Sequence, residues 1–428
     1  MKKVKNAIKK VLPAEAEKKV ANVFHFGEAV AAAARHKFPA KDMKVVMVTG
    51  TNGKTTTVAM LASILKAEGR KVGVISTAFF EINGQRFVND QNFTNLHPSI
   101  LQRKLAEMKK HGVEVLVLEV TSHALMQHRV WGIPCEVAVM TNLTQDHLDY
   151  HGTMEKYAEA KAKLFKRKPR FIVLNHDDEW FNFFDQFPPG EQSMSYGIHP
   201  DADTRLTGAR MHRQGSKASV EIDRQVKLDL LVHMPGKFNV YNAMAAASAA
   251  YVLHVKTEAI EAGIDAVKGV PGRQEKIEAG QSFEVLVDYA HTPDAFEQLL
   301  SSLQHLSKKR LLLVFGATGD RDKGKRPIMG EVAARYADRI YVTDDETYGE
   351  DAASIRTMVM DGIKRAQATE KTEEIADRRD AISAALAEAK RGDTVVVTGM
   401  GHERFRITNG EKIAWNDGDV VRELLARG

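Results

Sequence analysis

Three stretches of this 428-residue chain carry side chains suited to handling phosphate, and their spacing indicates how. The first is GTNGKTT, which runs Gly50, Thr51, Asn52, Gly53, Lys54, Thr55, Thr56. Two glycines let backbone N–H groups converge on phosphate oxygens, Lys54 brings a point charge, and the Thr55 hydroxyl can ligate Mg²⁺. The apolar run KVVMVTG precedes the string and a helical pattern follows it, so the loop opens a helix whose N-terminal dipole favours an anion. Only two residues separate Gly50 from Gly53, fewer than in the common GxxxxGK[ST] form. A strand-to-helix turn with an accidental lysine is the bland alternative.

The second stretch is EVLVLEV, with Glu119 near its C-terminal end. In an open parallel sheet that end faces the ligand crevice, and a carboxylate buried there is costly unless paired or metal-bound. Alone, Glu119 reads equally as half of a structural ion pair. Beside a phosphate loop, it reads as a Mg²⁺ ligand. The third stretch is TNLTQDHLDYHG, a polar loop containing His147, followed by YAEAKAKLF containing Lys161. Singly, each histidine reads as an ordinary loop residue. On composition, Lys161 reads as solvent-exposed, although its helical spacing puts it on one face with Phe165.

The elements that must position these groups follow from hydrophobic periodicity. Strands are expected over 44–50, 71–76, 114–120 and 136–140, with helices over 55–68, 98–110 and 154–165. Alternation of this kind builds parallel βαβ units. A local β insertion is expected over 220–233 and a packed alanine-rich helix over 239–254. A second series has strands over 283–288, 310–315, 339–343 and 394–398, joined to the first near Val270-Pro271-Gly272. The division is therefore an N-terminal segment 1–43, a nucleotide-binding domain 44–271 and a second α/β domain 272–428.

Bulk composition narrows the class. With 61 basic and 56 acidic residues the formal charge is +5, which excludes a strongly cationic nucleic-acid coat. Residues 1–20 hold seven lysines against two glutamates, so the remainder is formally neutral. Within them Val4, Ile8, Val11 and Leu12 lie at helical spacing among lysines, which predicts a short basic amphipathic helix. It would dock on its own protein, on a partner or on an anionic membrane surface. One cysteine and no long apolar run point to a soluble cytoplasmic protein, peripheral at the inner membrane face if that helix binds lipid.

With these motifs in order, the chain resembles the Mur ligases, and within them the type that adds the third residue of the peptidoglycan stem peptide. GTNGKTTT, LEVTSHAL, TNLTQDHLDYHGTMEKYAEAKAKLF, MPGKFNVYNAMAA, GVPGRQE, VDYAHTPDA, FGATGDRDKGKRPIMG and GMGHE carry the likeness. The resemblance implies a central P-loop ATPase domain with a parallel sheet and a C-terminal Rossmann-like α/β domain. It implies ATP, one Mg²⁺ on Thr55 and Glu119, and a second near His147 supported by a carbamylated Lys161. Asn242 would contact adenine, while Arg273, Asp288 and His291 would reach the nucleotide from the C-terminal domain. Ser122, His123 and Arg129 match the segment that holds a muramyl-peptide acceptor, and Arg321 and Glu403 match contacts to the amino acid.

The reaction implied is ATP-driven amide formation through an acyl phosphate. A lipid-linked or polyglutamate-type acceptor is the alternative with the same chemistry, and a nucleotide-binding scaffold without catalysis is the alternative of another class. Three departures accompany the likeness. About 43 residues precede the first strand, where the family carries an N-terminal domain of about 100 residues that grips UDP. Its absence is the expectation here, and Asn92–Pro98 departs from the family's Thr-Thr-Pro acceptor loop. The specificity loop that commonly reads Asp-Asn-Pro-Arg is Asp345-Glu346-Thr347-Tyr348, and an added acid without the arginine favours a cationic or neutral amino acid. Met400 stands where the family has a lysine.

Overall fold

The computed structural model describes residues 14–89, 96–307 and 309–427. The amphipathic stretch expected over 4–12, most of the lysine excess and residues 92–95 of the acceptor-loop segment lie outside the described residues.

Short Val- and Leu-rich runs bounded by loop residues form the first sheet. In chain order its strands are β1 (Lys44–Thr49), β2 (Val72–Ile75), β3 (Phe79–Ile82), β4 (Gln85–Val88) and β5 (Val115–Glu119). It continues with β6 (Val137–Met140), β7 (Phe171–Asn175), β8 (Gln192–Gly197), β9 (Thr204–His212), β10 (Gly215–Ile222) and β11 (Val226–Val232). Their spatial order is β11-β10-β9-β8-β7-β6-β1-β5-β2-β3-β4. The centre is parallel, with β1 between β5 and β6, and antiparallel strands close each edge.

Side chains alternate across a strand, so one run feeds two cores. Val46 and Val48 pack with residues of the helices Lys54–Ala67, Lys237–Tyr251 and Thr257–Asp265. Val45 and Met47 pack on the other face with the helices Pro98–Lys110 and Met154–Phe165. The helix Lys54–Ala67 starts beyond the C-terminal end of β1, Glu119 ends β5 and the His147 loop follows β6; these three strands are parallel neighbours, so the phosphate loop, Glu119 and the His147 loop reach the same edge of the sheet.

The second sheet contains β12 (Glu275–Lys276), β13 (Glu284–Asp288), β14 (Leu311–Phe315), β15 (Arg339–Val342), β16 (Thr372–Glu374) and β17 (Thr394–Thr398). Its order is β12-β13-β17-β14-β15-β16, parallel except at β12. A two-stranded ribbon, β18 (Phe405–Thr408) with β19 (Glu411–Ala414), follows it. The two sheets meet where Gly272 takes φ +64, and a Cβ there would stand 2.1 Å from the His402 backbone nitrogen. Only glycine tolerates both that φ and that approach.

The expected 220–233 insertion proves to be three antiparallel strands, β9 to β11, continuing the main sheet from residue 204. β9 alternates weakly because much of it is exposed, which hides it from a periodicity search. The N-terminal segment holds a helix, Ala14–Arg35, along the helix Pro98–Lys110. Among the described residues no helix is long and apolar enough to cross a membrane.

Candidate active site

The phosphate loop is shaped by its neighbours in space. Gly53 takes φ +83 at the N-cap of the helix Lys54–Ala67, and a Cβ there would meet the Asn242 side-chain oxygen at 2.2 Å. The residue expected to touch adenine therefore lies against the loop expected to hold phosphate. Asn142 fixes the loop from the other side: its carbonyl accepts from Thr51 N at 2.8 Å and its Oδ1 from Asn52 N at 2.9 Å. Lys54 Nζ donates to the Thr51 carbonyl at 2.6 Å, and burial lowers the pKa of its amine.

Glu119 ends β5 fully buried. Thr55 Oγ1 donates to its Oε2 at 3.0 Å, and Thr77 gives Oε2 a backbone N–H at 2.9 Å and Oε1 a hydroxyl at 2.8 Å. Arg273 Nη2 donates to Thr55 Oγ1 at 3.2 Å, so the joint between the sheets reaches the metal-competent pair. Thr77 was not anticipated. It follows β2 by two residues, and only a strand-end position marked it.

Lys161 is 1% exposed, against the composition-based reading of a surface lysine. Its Nζ donates to the Gly50 carbonyl at 2.7 Å and lies 4.5 Å from the Tyr157 ring centroid. Burial first, then the charge of Lys54, drives its pKa well below the ordinary lysine range. Asp146 and His147 stand above it. Burial would raise the Asp146 carboxyl, but His147, Lys325 and His291 outweigh that and hold it below the usual carboxylate range. Burial pushes the His147 imidazole down to about 3, and His123 and His151 to about 4. These rings pack together: His123 lies 4.7 Å from His147 and 4.2 Å from Tyr150, centroid to centroid. His151 shares a 2.9 Å hydrogen bond with Ser122.

The second sheet supplies the facing wall. Asp288 ends β13, accepts backbone N–H groups from Gln274 and Ala290 at 2.7 Å each, and is raised in pKa by burial. Burial pushes His291 down to about 4. Hydrogen bonds span the gap: Asn52 Nδ2 to Asp294 Oδ2 at 2.9 Å, Thr292 Oγ1 to Asn52 Oδ1 at 3.3 Å, and Gln145 Nε2 to Asp322 Oδ2 at 3.1 Å.

A cavity of about 880 Å³ lies between the walls. Thr51 to Thr56, Glu119, His147, Asn242, Arg273, Asp288 and His291 line it, together with His123, Arg129 and Arg321. Gly50, Lys161, Ser122, Glu346 and Glu403 are not among its lining residues, although Lys161 reaches the Gly50 carbonyl and Ser122 bonds to His151. Among the described residues no three His, Cys, Asp or Glu side chains gather as a metal group. The donors present, one carboxylate and one hydroxyl beside a phosphate loop, suit a Mg²⁺ whose remaining ligands are phosphate and water.

The chain is similar to known proteins over most of its length. Residues 48–250 match the family model described as Mur ligase middle domain, and residues 272–401 match Mur ligase, glutamate ligase domain. The UDP-N-acetylmuramoyl-L-alanyl-D-glutamate–2,6-diaminopimelate ligase of Geobacillus kaustophilus is 39% identical over 405 residues, 93% of this chain and 82% of the relative. The UDP-N-acetylmuramyl-tripeptide synthetase of a Roseiflexus species is 37% identical over 412 residues, covering 92% and 81%. A solved structure of a ligase of the first name is 33% identical with TM-score 0.63, covering 91% of this chain and 79% of that one. Mycobacterium tuberculosis folylpolyglutamate synthase, at 19% identity, TM-score 0.73 and 94% of both chains, shares the fold.

Proposed function

The chain belongs to the Mur ligase family of ATP-dependent peptidoglycan ligases, and from that premise we propose that it adds the third residue to a muramyl-peptide acceptor. The observation that carries this reading is the cavity of about 880 Å³ whose walls come from both domains. It brings the phosphate loop, the Thr55–Glu119 pair and Arg273 together with His123, Arg129 and Arg321. In this reading residues 44–271 hold nucleotide and acceptor, and residues 272–428 close over them with the amino acid.

The acceptor carboxylate attacks the γ-phosphorus of ATP, the β–γ bridging bond breaks, and ADP leaves. The amine of the amino acid then attacks the acyl carbon, phosphate departs, and the amine gives up a proton. Little of this needs covalent help from the protein, so its work is to position anions and offset their charge. Lys54 and the backbone N–H groups of Gly53 to Thr56 cradle the phosphates. Arg273 brings a second cation to the transferring group, while Asn242 and Asp288 fix base and ribose. His123 and Arg129 hold the acceptor, with Arg129 matched to a carboxylate. Mg²⁺ on Thr55 and Glu119 supplies charge neutralisation at the phosphates when bound. The bonds from Asn52 to Asp294 and from Gln145 to Asp322 keep the walls closed and water out, which protects the activated acyl group.

Lys161 fits a carbamate. Its amine is buried, burial and the charge of Lys54 push its pKa down toward the neutral form, and it is close to His147. A neutral amine is the form that adds CO₂, and the resulting anion would support a second Mg²⁺ beside His147.

The reading is tested by ADP release from the full chain with UDP-N-acetylmuramoyl-L-alanyl-D-glutamate and a panel of amino acids. Release that requires acceptor and amino acid together, with a ligated product by mass, is expected. ADP release indifferent to both would overturn the proposal.

A further inference from the structure

A surface helix ordinarily buries an apolar stripe and turns charged residues to water. The helix Ala14–Arg35 lies along the helix Pro98–Lys110 and buries Ala29, Ala32 and Ala33. Its outer positions are apolar as well. Val20 is 42% exposed, Val23 72% and Phe24 41%, at the spacing i, i+3, i+4 that shares one face. The exposed Gly27 and Ala31 carry that face on by two further turns. Phe24 also meets the His25 ring edge-on, with 6.3 Å between centroids. From Val20 to Ala34 the one Asp, Glu, Lys or Arg is Glu28, and it is half-buried, 3.6 Å from His25 and 3.5 Å from His97. The opposite side of the helix grips the loop after the short helix Ser122–Met126. Asn22 Oδ1 shares a 3.0 Å hydrogen bond with His128 Nε2, and the Phe26 ring stands edge-on to His128 and Trp131 at 5.3 and 5.5 Å. Arg129, next in the chain after His128, lines the cavity.

Charge indicates what covers the outer face. Residues 1–20, which run directly into it, hold seven lysines against two glutamates. An apolar face continued by a cationic stretch is complementary to a surface that is apolar beneath and anionic above. A second copy of the chain would bring the same excess of lysine to the contact, which opposes pairing. We propose that Val20, Val23 and Phe24 dock this helix on an anionic lipid surface. The helix lies in the plane of the surface: its three apolar side chains enter the boundary between headgroups and acyl chains, and the preceding lysines meet the lipid phosphates. Asn22 and Phe26 leave the same turns on the far side, so the loop carrying Arg129 stands one helix diameter, about 10 Å, from the docked face. Docking therefore holds the Arg129 side of the cavity close to the bilayer.

The test is sedimentation of the full chain with lipid vesicles, without nucleotide or acceptor, which reads this face apart from the ligase reading. Vesicles of equimolar phosphatidylcholine and phosphatidylglycerol are expected to bind the chain about tenfold or more tightly than phosphatidylcholine alone. Binding should weaken as salt rises. Val23→Ser with Phe24→Ser removes exposed apolar area at unchanged charge, and should lower binding to the anionic vesicles about tenfold. Val23→Glu with Phe24→Glu should lower it further, and an unchanged melting temperature in both variants controls for folding. No sedimentation, equal sedimentation with both kinds of vesicle, or binding unchanged in both variants overturns the proposal. A dimer in solution that the same substitutions dissolve, with no vesicle binding, gives the face to a second copy and overturns it too. If anionic vesicles are bound but no amino acid is ever joined to an acceptor, the docking face stands and the ligase reading fails.

Discussion

Lys161→Ala is expected to lower kcat by about 10²–10³ with little change in nucleotide affinity, and short-chain carboxylates should restore part of the rate. The variant removes one amine from beneath the phosphate loop, where it touches the Gly50 carbonyl at 2.7 Å. If that amine served only to hold the loop, nucleotide binding would weaken together with turnover and added acetate would do nothing. If it carries a carbamate, the lost group is an anion beside His147, and a small carboxylate can enter the space left by the side chain. Steady-state rates with and without acetate distinguish the two. Full activity in the unrescued variant sinks the assignment.

Lys54→Met should lower kcat by a similar factor of about 10²–10³, because one preorganised charge is lost from the transferring phosphate. The side chain keeps most of its length and apolar stem, and melting temperature is a control for folding. A second consequence follows from the geometry. The positive charge of Lys54 helps to hold the Lys161 pKa down, so its removal should favour the ammonium at Lys161 and reduce the carbamate. The ¹³C signal of protein equilibrated with labelled bicarbonate measures that fraction. A carbamate signal unaltered in Lys54→Met would separate the two lysines and contradict their coupling.

What the sequence disclosed was local. Gly50 to Thr56 adjoin one another, so their chemistry shows in a single string. Glu119 stands out because an otherwise apolar strand ends on a carboxylate. Lys161 did not show this way: the backbone that buries it belongs to Gly50, 111 positions away, and composition has no access to that contact. Only the family likeness placed it near the site. The same limit hid Thr77, whose partner Glu119 lies 42 positions on, and Asp294, which meets Asn52 across 242. Glu346 and Glu403 were each identified beforehand. Their burial emerges only once the β18–β19 ribbon folds against the loop after β15, where Tyr348 N donates to the Ile407 carbonyl. The antiparallel extension β9–β11 was seen in part, because half-exposed strands lack the alternation that marks buried ones. The helix Ala14–Arg35 escaped notice as well. Its alanines carry high helix propensity but little amphipathic pattern.

The central claim is that the acceptor carboxylate is activated by phosphoryl transfer. It is tested most directly by labelling that carboxylate with ¹⁸O and following the label by mass spectrometry through one round of amide formation. Attack of a carboxylate oxygen on the γ-phosphorus, followed by departure of phosphate, predicts one ¹⁸O in the released phosphate and one in the new amide carbonyl. Amide product accompanied by unlabelled phosphate would contradict the account.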